Sequence, residues 1–278
     1  MTKGRPDKLR PIDLIEDAFH AARKLPAETF IPYFLGTMPF LLGLLYYWND
    51  MSRNAYAKEH CITASFGLVA LFVWMKAWQS VFSLKVYERI GRVDMLPRSV
   101  VSVLRLVAAQ TILQATSIVV LPVAMIMTIP FAGTYAMYQL ALVHDFSDEL
   151  SLKQMVRYNF YMAWHNTFAN NMVLLIFSVL GLYVALNAAV TLYGLPFLVK
   201  MFFGIESTFT LGGFNPLNTT FIFSILAVTH LCIDPLIKIL FVLQSFSYRS
   251  RATGDDLIAE FRSEFNPVKS ASRAVVIL

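Results

Sequence analysis

His230, Asp234 and Lys238 recur at four-residue intervals inside one long apolar stretch, and Pro235 directly follows the acid. On an α-helix this spacing stacks the three side chains on one face. An ionisable side chain in lipid is costly and is a functional-site hypothesis by default. Asp before Pro is also a natural helix start, with the acid as N-cap. The stretch is therefore expected to break at Asp234, leaving backbone groups free for a ligand or ion, as in many transporters. The other reading is a structural ion pair, Asp234 with Lys238, at a proline kink.

Weaker candidates surround this trio. Lys76 lies in an apolar stretch near Trp74, Trp78 and Gln79, and Arg105 near the start of another. Both are expected to snorkel toward the cytoplasmic surface. Gln110, Gln114 and Asn187 are uncharged polar residues in apolar surroundings, suited to hydrogen bonds between helices. Gly181, Ala185 and Ala189 form a stripe of small residues for close helix approach. His144, Asp145, Asp148 and Glu149 cluster at the end of an apolar run. That cluster lacks the Gly and Arg that accompany carboxylate pairs in membrane phosphotransferases, so a helix cap is the expected role. Together with His165 it is the one place where an intramembrane lipid enzyme could be sought, the least favoured reading.

The sequence contains no HExxH, no GxSxG and no P-loop. Cys61 and Cys232 are far apart and form neither a disulfide framework nor a Cys/His metal cluster. No catalytic residue, metal or cofactor is expected.

The elements that must position these residues are helices in lipid. The chain has 278 residues, of which 57% are hydrophobic and 15% charged. Soluble domains carry roughly 25% charged residues. A mean hydropathy of +0.58 fits lipid as the main solvent. Met1–Leu25 lacks the apolar core of a cleaved signal peptide. Since a span needs about 20 apolar residues, six are expected: Phe30–Trp48, Ile62–Leu84, Val100–Leu121, Val123–Val143, Met172–Val199 and Phe221–Phe246. The third and fourth are divided by a turn near Pro122. A kink is expected in the first, which holds Pro32, Gly36 and Pro39.

The basic residues favour this division. With residues 1–29 and 247–278 both cytoplasmic, 17 of the 23 Lys and Arg fall inside and three outside, with Lys76, Arg105 and Lys238 within spans. The net charge of +5 is thus a topology signal and gives no support to nucleic-acid binding. Two further segments have helical apolar stripes suited to the membrane surface or to the bundle itself. One is Ile12–Leu25, through Ile12, Ile15, Phe19 and Ala22. The other is Leu152–Phe168, through Leu152, Met155, Val156, Phe160, Ala163, Trp164 and Phe168.

The tail runs Tyr248-Arg249-Ser250-Arg251 and then Gly254-Asp255-Asp256-Leu257. With the opening Ile12-Asp13-Leu14-Ile15 helix and the central helix around Arg157 and Trp164, it resembles the multi-pass membrane domain associated with glycerophosphoryl diester phosphodiesterases. The likeness is architectural and rests on short motifs. The soluble catalytic barrel of those enzymes is absent, so no catalytic residue carries over. The resemblance implies a bacterial inner-membrane module, a partner or regulator of an envelope enzyme or transport system.

The expectation is an all-α polytopic bundle in the lipid bilayer. Its leading role is a non-enzymatic scaffold or accessory subunit, alone as a homo-oligomer or with a membrane-protein partner. The alternative is a small transporter or permease subunit working through the sixth span.

Overall fold

A computed structural model describes residues 10–91, 100–126, 131–143, 152–206 and 218–253. These residues are helical, with no strand among them. In chain order the helices are α1 (Pro11–Lys24), α2 (Ile31–Arg53), α3 (Ala57–Gly91), α4 (Val100–Ile126), α5 (Phe131–Ala141), α6 (Leu152–His165), α7 (Thr167–Phe203) and α8 (Thr219–Thr253). A 3-10 turn, Ala27–Thr29, joins α1 to α2.

Helices α3, α4, α7 and α8 are long and apolar enough to cross a membrane. This is compatible with a multi-pass membrane protein. In α2 two prolines, two glycines, Tyr46, Tyr47 and Trp48 dilute the hydropathy of its 23 residues. Helix α5 has only 11 residues. At 1.5 Å per residue it is about 16 Å long, roughly half of a hydrocarbon core.

Two expected breaks are absent. Helix α4 passes through Pro122 to Ile126, so no turn divides the region there. Helix α8 passes through Asp234 and Pro235 without interruption. A proline removes one N–H, but opening the helix in apolar surroundings would expose several backbone groups with no water to satisfy them. Continuing the helix is the cheaper solution. At Pro235 the neighbouring His230 carbonyl also accepts from the Tyr33 hydroxyl at 3.5 Å.

Burial is concentrated at one end of the bundle. Helix α2 has no buried residue after Leu41, α3 none before Met75, and α8 none before Ile233. Because α2 runs against α3 and α8, these boundaries lie at one level. The core on the packed side joins Tyr33, Phe82, Val86, Ala136, Leu140, Val173, Phe177 and Ile239–Val242. Helix α8 is the centre of that core, and 44% of its most apolar stretch is buried, against 6% for α3 and 17% for α7.

Helices α1 and α6 pack into the same end through part of the expected stripes, including Ile15, Ala22, Met155, Val156 and Ala163. In α1 the core residues are Leu14 and Ala18, flanked by Ile15, Ala21 and Ala22, while Ile12 is exposed. In α6 Met155, Asn159, Met162 and Ala163 are buried, whereas Phe160, Trp164 and Phe168 face outward. Aromatic side chains satisfied both stripes by spacing, yet the closest approach to the bundle selected smaller ones. Phe168 lies beyond Asn166, where α6 gives way to α7.

The tightest helix contact is between α2 and α3. A Cβ on Gly36 would lie 2.5 Å from the Cβ of Trp78 and 3.2 Å from the Met75 carbonyl. At Gly43 the obstacle is the movable end of Leu71. Gly36→Ala is expected to cost about 1–3 kcal/mol by forcing the helices apart. Gly43→Ala should cost less, and Gly181→Ala, which meets nothing within 4 Å, should be neutral. Thermal unfolding of the three variants in detergent checks this order.

Candidate functional site: a buried polar layer

The polar side chains inside the bundle gather at the inner boundary of the packed half. Asp234 and Lys238 face one way on α8, with 3.2 Å between Nζ and Oδ2. Both are buried, at 5% and 2% exposure. Across from them on α5, Gln139 Oε1 accepts from Lys238 Nζ at 3.2 Å. His230 lies one turn away, its Nε2 3.8 Å from Asp234 Oδ2, with 41% of its side chain exposed. From α2, the Tyr33 hydroxyl lies beside the Asp234 and Thr37 side chains. Gln79 of α3 donates to Thr37 Oγ1 at 3.2 Å. The trio at 230, 234 and 238 is therefore brought together as its spacing requires, in a continuous helix.

The pairing is not a complete solution. Asp234 Oδ2 and Gln79 Oε1 are buried without a hydrogen-bond donor in alignment. Truncating one member of a buried pair typically costs more than the pair itself contributes.

Lys76 departs from expectation. Its ammonium lies 5.5 Å over the ring of Phe72, one turn back along α3. It points toward the Ala57 end, away from the Gly91 end to which snorkelling on the expected topology would take it. Helical side chains lean toward the N-terminus, and here the Phe72 face rewards that direction. Lys76 is coupled electrostatically to Asp234 and Lys238. Arg105 is exposed on α4 and belongs to no such group.

Gln110 and Gln114 do more than join two helices. They close the end of α5. The last carbonyls of a helix have no partner inside it. Here that end is buried, from Tyr138 to Val143. Gln114 Nε2 donates to the Tyr138 carbonyl at 3.3 Å. Leu142 and Val143 turn back their own N–H groups to Gln139 and Leu140 at 3.1 Å. Gln110 Nε2 donates to the Ala141 carbonyl at 2.8 Å, and Ser80 Oγ to the Leu142 carbonyl at 2.8 Å. Gln110 also donates to Ser80 Oγ at 3.1 Å, linking the two caps.

The end of α6 is treated alike. Asn170 Nδ2 donates to Ala163 at 2.9 Å and Thr167 to Trp164 at 2.7 Å. Gln244 of α8 donates to Asn170 Oδ1 at 3.1 Å and fixes its orientation.

Asn187 makes no bridge to another helix among the described residues. It is exposed on α7 and donates to the Tyr183 carbonyl of its own helix at 2.8 Å. An amide facing lipid has its own preceding turn as the nearest acceptor. His165 stacks on Tyr161 in α6. His144, Asp145 and Asp148 lie outside the described residues. Among the described residues no group of three His, Cys, Asp or Glu is placed to hold a metal ion. Cys61 and Cys232 are free.

Sequence reasoning missed Gln139, Tyr33, Ser80, Asn170 and Gln244. Gln139 and Gln244 sit in apolar runs and carry the signal that singled out Gln110. Tyr33 and Ser80 do not stand out by type.

The chain matches no family model, no curated protein and no solved structure.

Four substitutions separate the layers of this site. Gln110→Leu leaves the buried Ala141 carbonyl without that donor and is expected to cost about 1–3 kcal/mol. Gln114→Leu, whose bonds are longer, should cost less. Lys238→Met alone strands a buried carboxylate and should cost about 3–5 kcal/mol, much of it recovered when Asp234→Asn is added. A double-mutant cycle on thermal stability in detergent measures both effects.

Proposed function

We propose that this chain is a non-catalytic module of a membrane complex, a scaffold or accessory subunit in a bacterial inner membrane. The observation that supports it best is the burial of its central ion pair among side chains of its own chain. Asp234, Lys238 and Gln139 spend their polarity on one another. The caps of α5 and α6 likewise hold structure together. Long apolar lengths of α3 and α7 are left without cover from their own chain. The likeness of the tail and opening to the phosphodiesterase-associated membrane domain agrees with a partner or regulator role.

In this reading α2, α3, α4, α7 and α8 cross the bilayer. Helix α5 belongs to the remaining passage of the six. Residues 1–29 and 247–278 are cytoplasmic, consistent with the distribution of Lys and Arg. The amphipathic α1 and α6 lie at the cytoplasmic surface against the packed half.

A second reading, a small transporter or permease subunit, draws on α5. A half-length helix ending beside a buried ion pair is an arrangement used by transporters. The readings part in one experiment. Extraction in mild detergent with quantitative mass spectrometry should recover the protein with a reproducible stoichiometric membrane partner, or as a discrete homo-oligomer. A solitary protein that moves solute into liposomes, and loses this with Asp234→Asn at unchanged expression, favours transport.

A further inference from the structure

We propose that the outward face of α6 is a docking surface for anionic phospholipids of the bilayer that holds the spans. Lys153 and Arg157 take the headgroup phosphates, and Phe160 and Trp164 enter the interface beside them. The inference rests on the reading that sets α6 at the membrane surface, and adds to it the chemistry of the lipid.

Spacing builds the face. Lys153, Arg157, Phe160 and Trp164 follow one another at steps of four, three and four residues, which is one line along a helix. The opposite side is occupied: Met155, Met162 and Ala163 are buried, and Met155 packs against Leu113 and Ala141. Lys153 and Arg157 are exposed. Phe160, Trp164 and the neighbouring Tyr161 each leave more than half of their surface open. The Phe160 and Trp164 rings stack with centroids 5.4 Å apart and so present one joint apolar patch. A patch of this kind marks a protein or membrane contact.

Charge and continuity choose the membrane. Helix α6 contains no Asp or Glu, and the acids nearest before it, Asp148 and Glu149, lie outside the described residues. Helix α1, at the same end, is the contrast. Its outward face carries exposed Asp13, Glu16 and Asp17, with Ile12 its one large exposed apolar side chain. That face repels anionic headgroups and suits water. On α6 the cations stand at the start of the helix and the rings at its end, where the chain passes into α7. Beyond Asn166 the exposed line continues as Phe168, Met172, Leu175, Val179, Leu182 and Leu186 along α7, which is long and apolar enough to cross a membrane. The rings thus run on into a surface that lipid covers, and the cations lie at the end farther from it. Aromatic rings favour the headgroup level, and Lys or Arg beside them attract anionic lipid. A soluble acidic partner would suit the cations but not a ring patch that runs on into a span.

The test uses the full chain carrying Cys61→Ser, Cys232→Ser and His165→Cys, labelled with the fluorophore NBD at position 165. It is reconstituted in mixed phosphatidylcholine and phosphatidylglycerol bilayers. In one sample the phosphatidylglycerol carries a doxyl quencher near the headgroup; in the other an equal mole fraction of phosphatidylcholine does. Both lipids should quench the label, and phosphatidylglycerol should do so roughly twofold or more strongly at low salt. Lys153→Gln with Arg157→Gln should remove the excess and leave the quenching by phosphatidylcholine. Raised salt should shrink the excess in the same way. The same label at His20→Cys on α1 should show no excess. Equal quenching by the two lipids overturns the anionic preference while leaving α6 at the surface. Quenching by neither lipid overturns the placement as well, and a label that iodide also fails to reach means that another protein covers the face. An excess that survives Lys153→Gln with Arg157→Gln overturns the role of these cations. If the cysteine replacements prevent folding, native mass spectrometry of the otherwise unaltered chain counts retained phosphatidylglycerol and phosphatidylcholine. The same preference, and its loss with Lys153→Gln and Arg157→Gln, is then expected, and equal retention of the two lipids overturns the proposal.

Discussion

A short helix that stops inside a protein leaves carbonyl groups that water cannot reach, and the architecture here depends on how those groups are satisfied. Each unsatisfied buried acceptor carries the desolvation penalty of that group, about 1–3 kcal/mol. Helix α5 presents such an end in the most buried part of the bundle. Ser80, Gln110 and Gln114 answer it from two different helices. Because hydrogen bonds are directional, α3 and α4 are held in one rotation and one height relative to α5. Apolar packing alone would tolerate sliding among similar side chains. The amides remove that freedom.

The ion pair is a second device at the same level. Lys238 reaches the side chain of Gln139 on the turn of α5 whose end is capped. A cation near a helix C-terminus is favoured by the partial negative charge of the exposed carbonyls. Lys238 thus serves Asp234 along α8 and α5 across the interface. This ties α8 to α5, 99 residues earlier. Asn170 and Gln244 repeat the arrangement at the end of α6. One end of the molecule is consequently dense and polar-stitched, and the other is two or three helices touching along apolar ridges, with contacts such as Trp48 to Phe223.

Much of this was legible from residue types. Apolar runs located α3, α4, α7 and α8, and the four-residue spacing placed His230, Asp234 and Lys238 on one face. The failures share a cause. Pro122 and Pro235 read locally as breaks, but in apolar surroundings the cost of opening a helix outweighs one missing N–H. Gln110 and Gln114 were visible as polar residues needing partners. Their partners are backbone carbonyls, which carry no sequence signature and become available only where α5 stops. The buried faces of α1 and α6 were found only in part because spacing ranks a stripe by hydrophobicity, while close packing prefers Leu14, Ala18 and Met162 to the larger rings. For Lys76, the Phe72 ring that draws it back along α3 was read as part of the apolar background.

The i,i+4 spacing of Asp234 and Lys238 also bears on how the chain is made. A membrane-inserted helix is handed to lipid as it emerges, before distant partners are in place. Charges on separate helices would each enter unpaired, at a cost of about 2.5–3.5 kcal/mol per residue near the helix centre. Carried on one helix, the acid and base can enter lipid together as a neutral unit. The caps of α5 lie on α3 and α4, so they are synthesised before the carbonyls that need them. At α5, then, the chain makes the donors before the helix end they close.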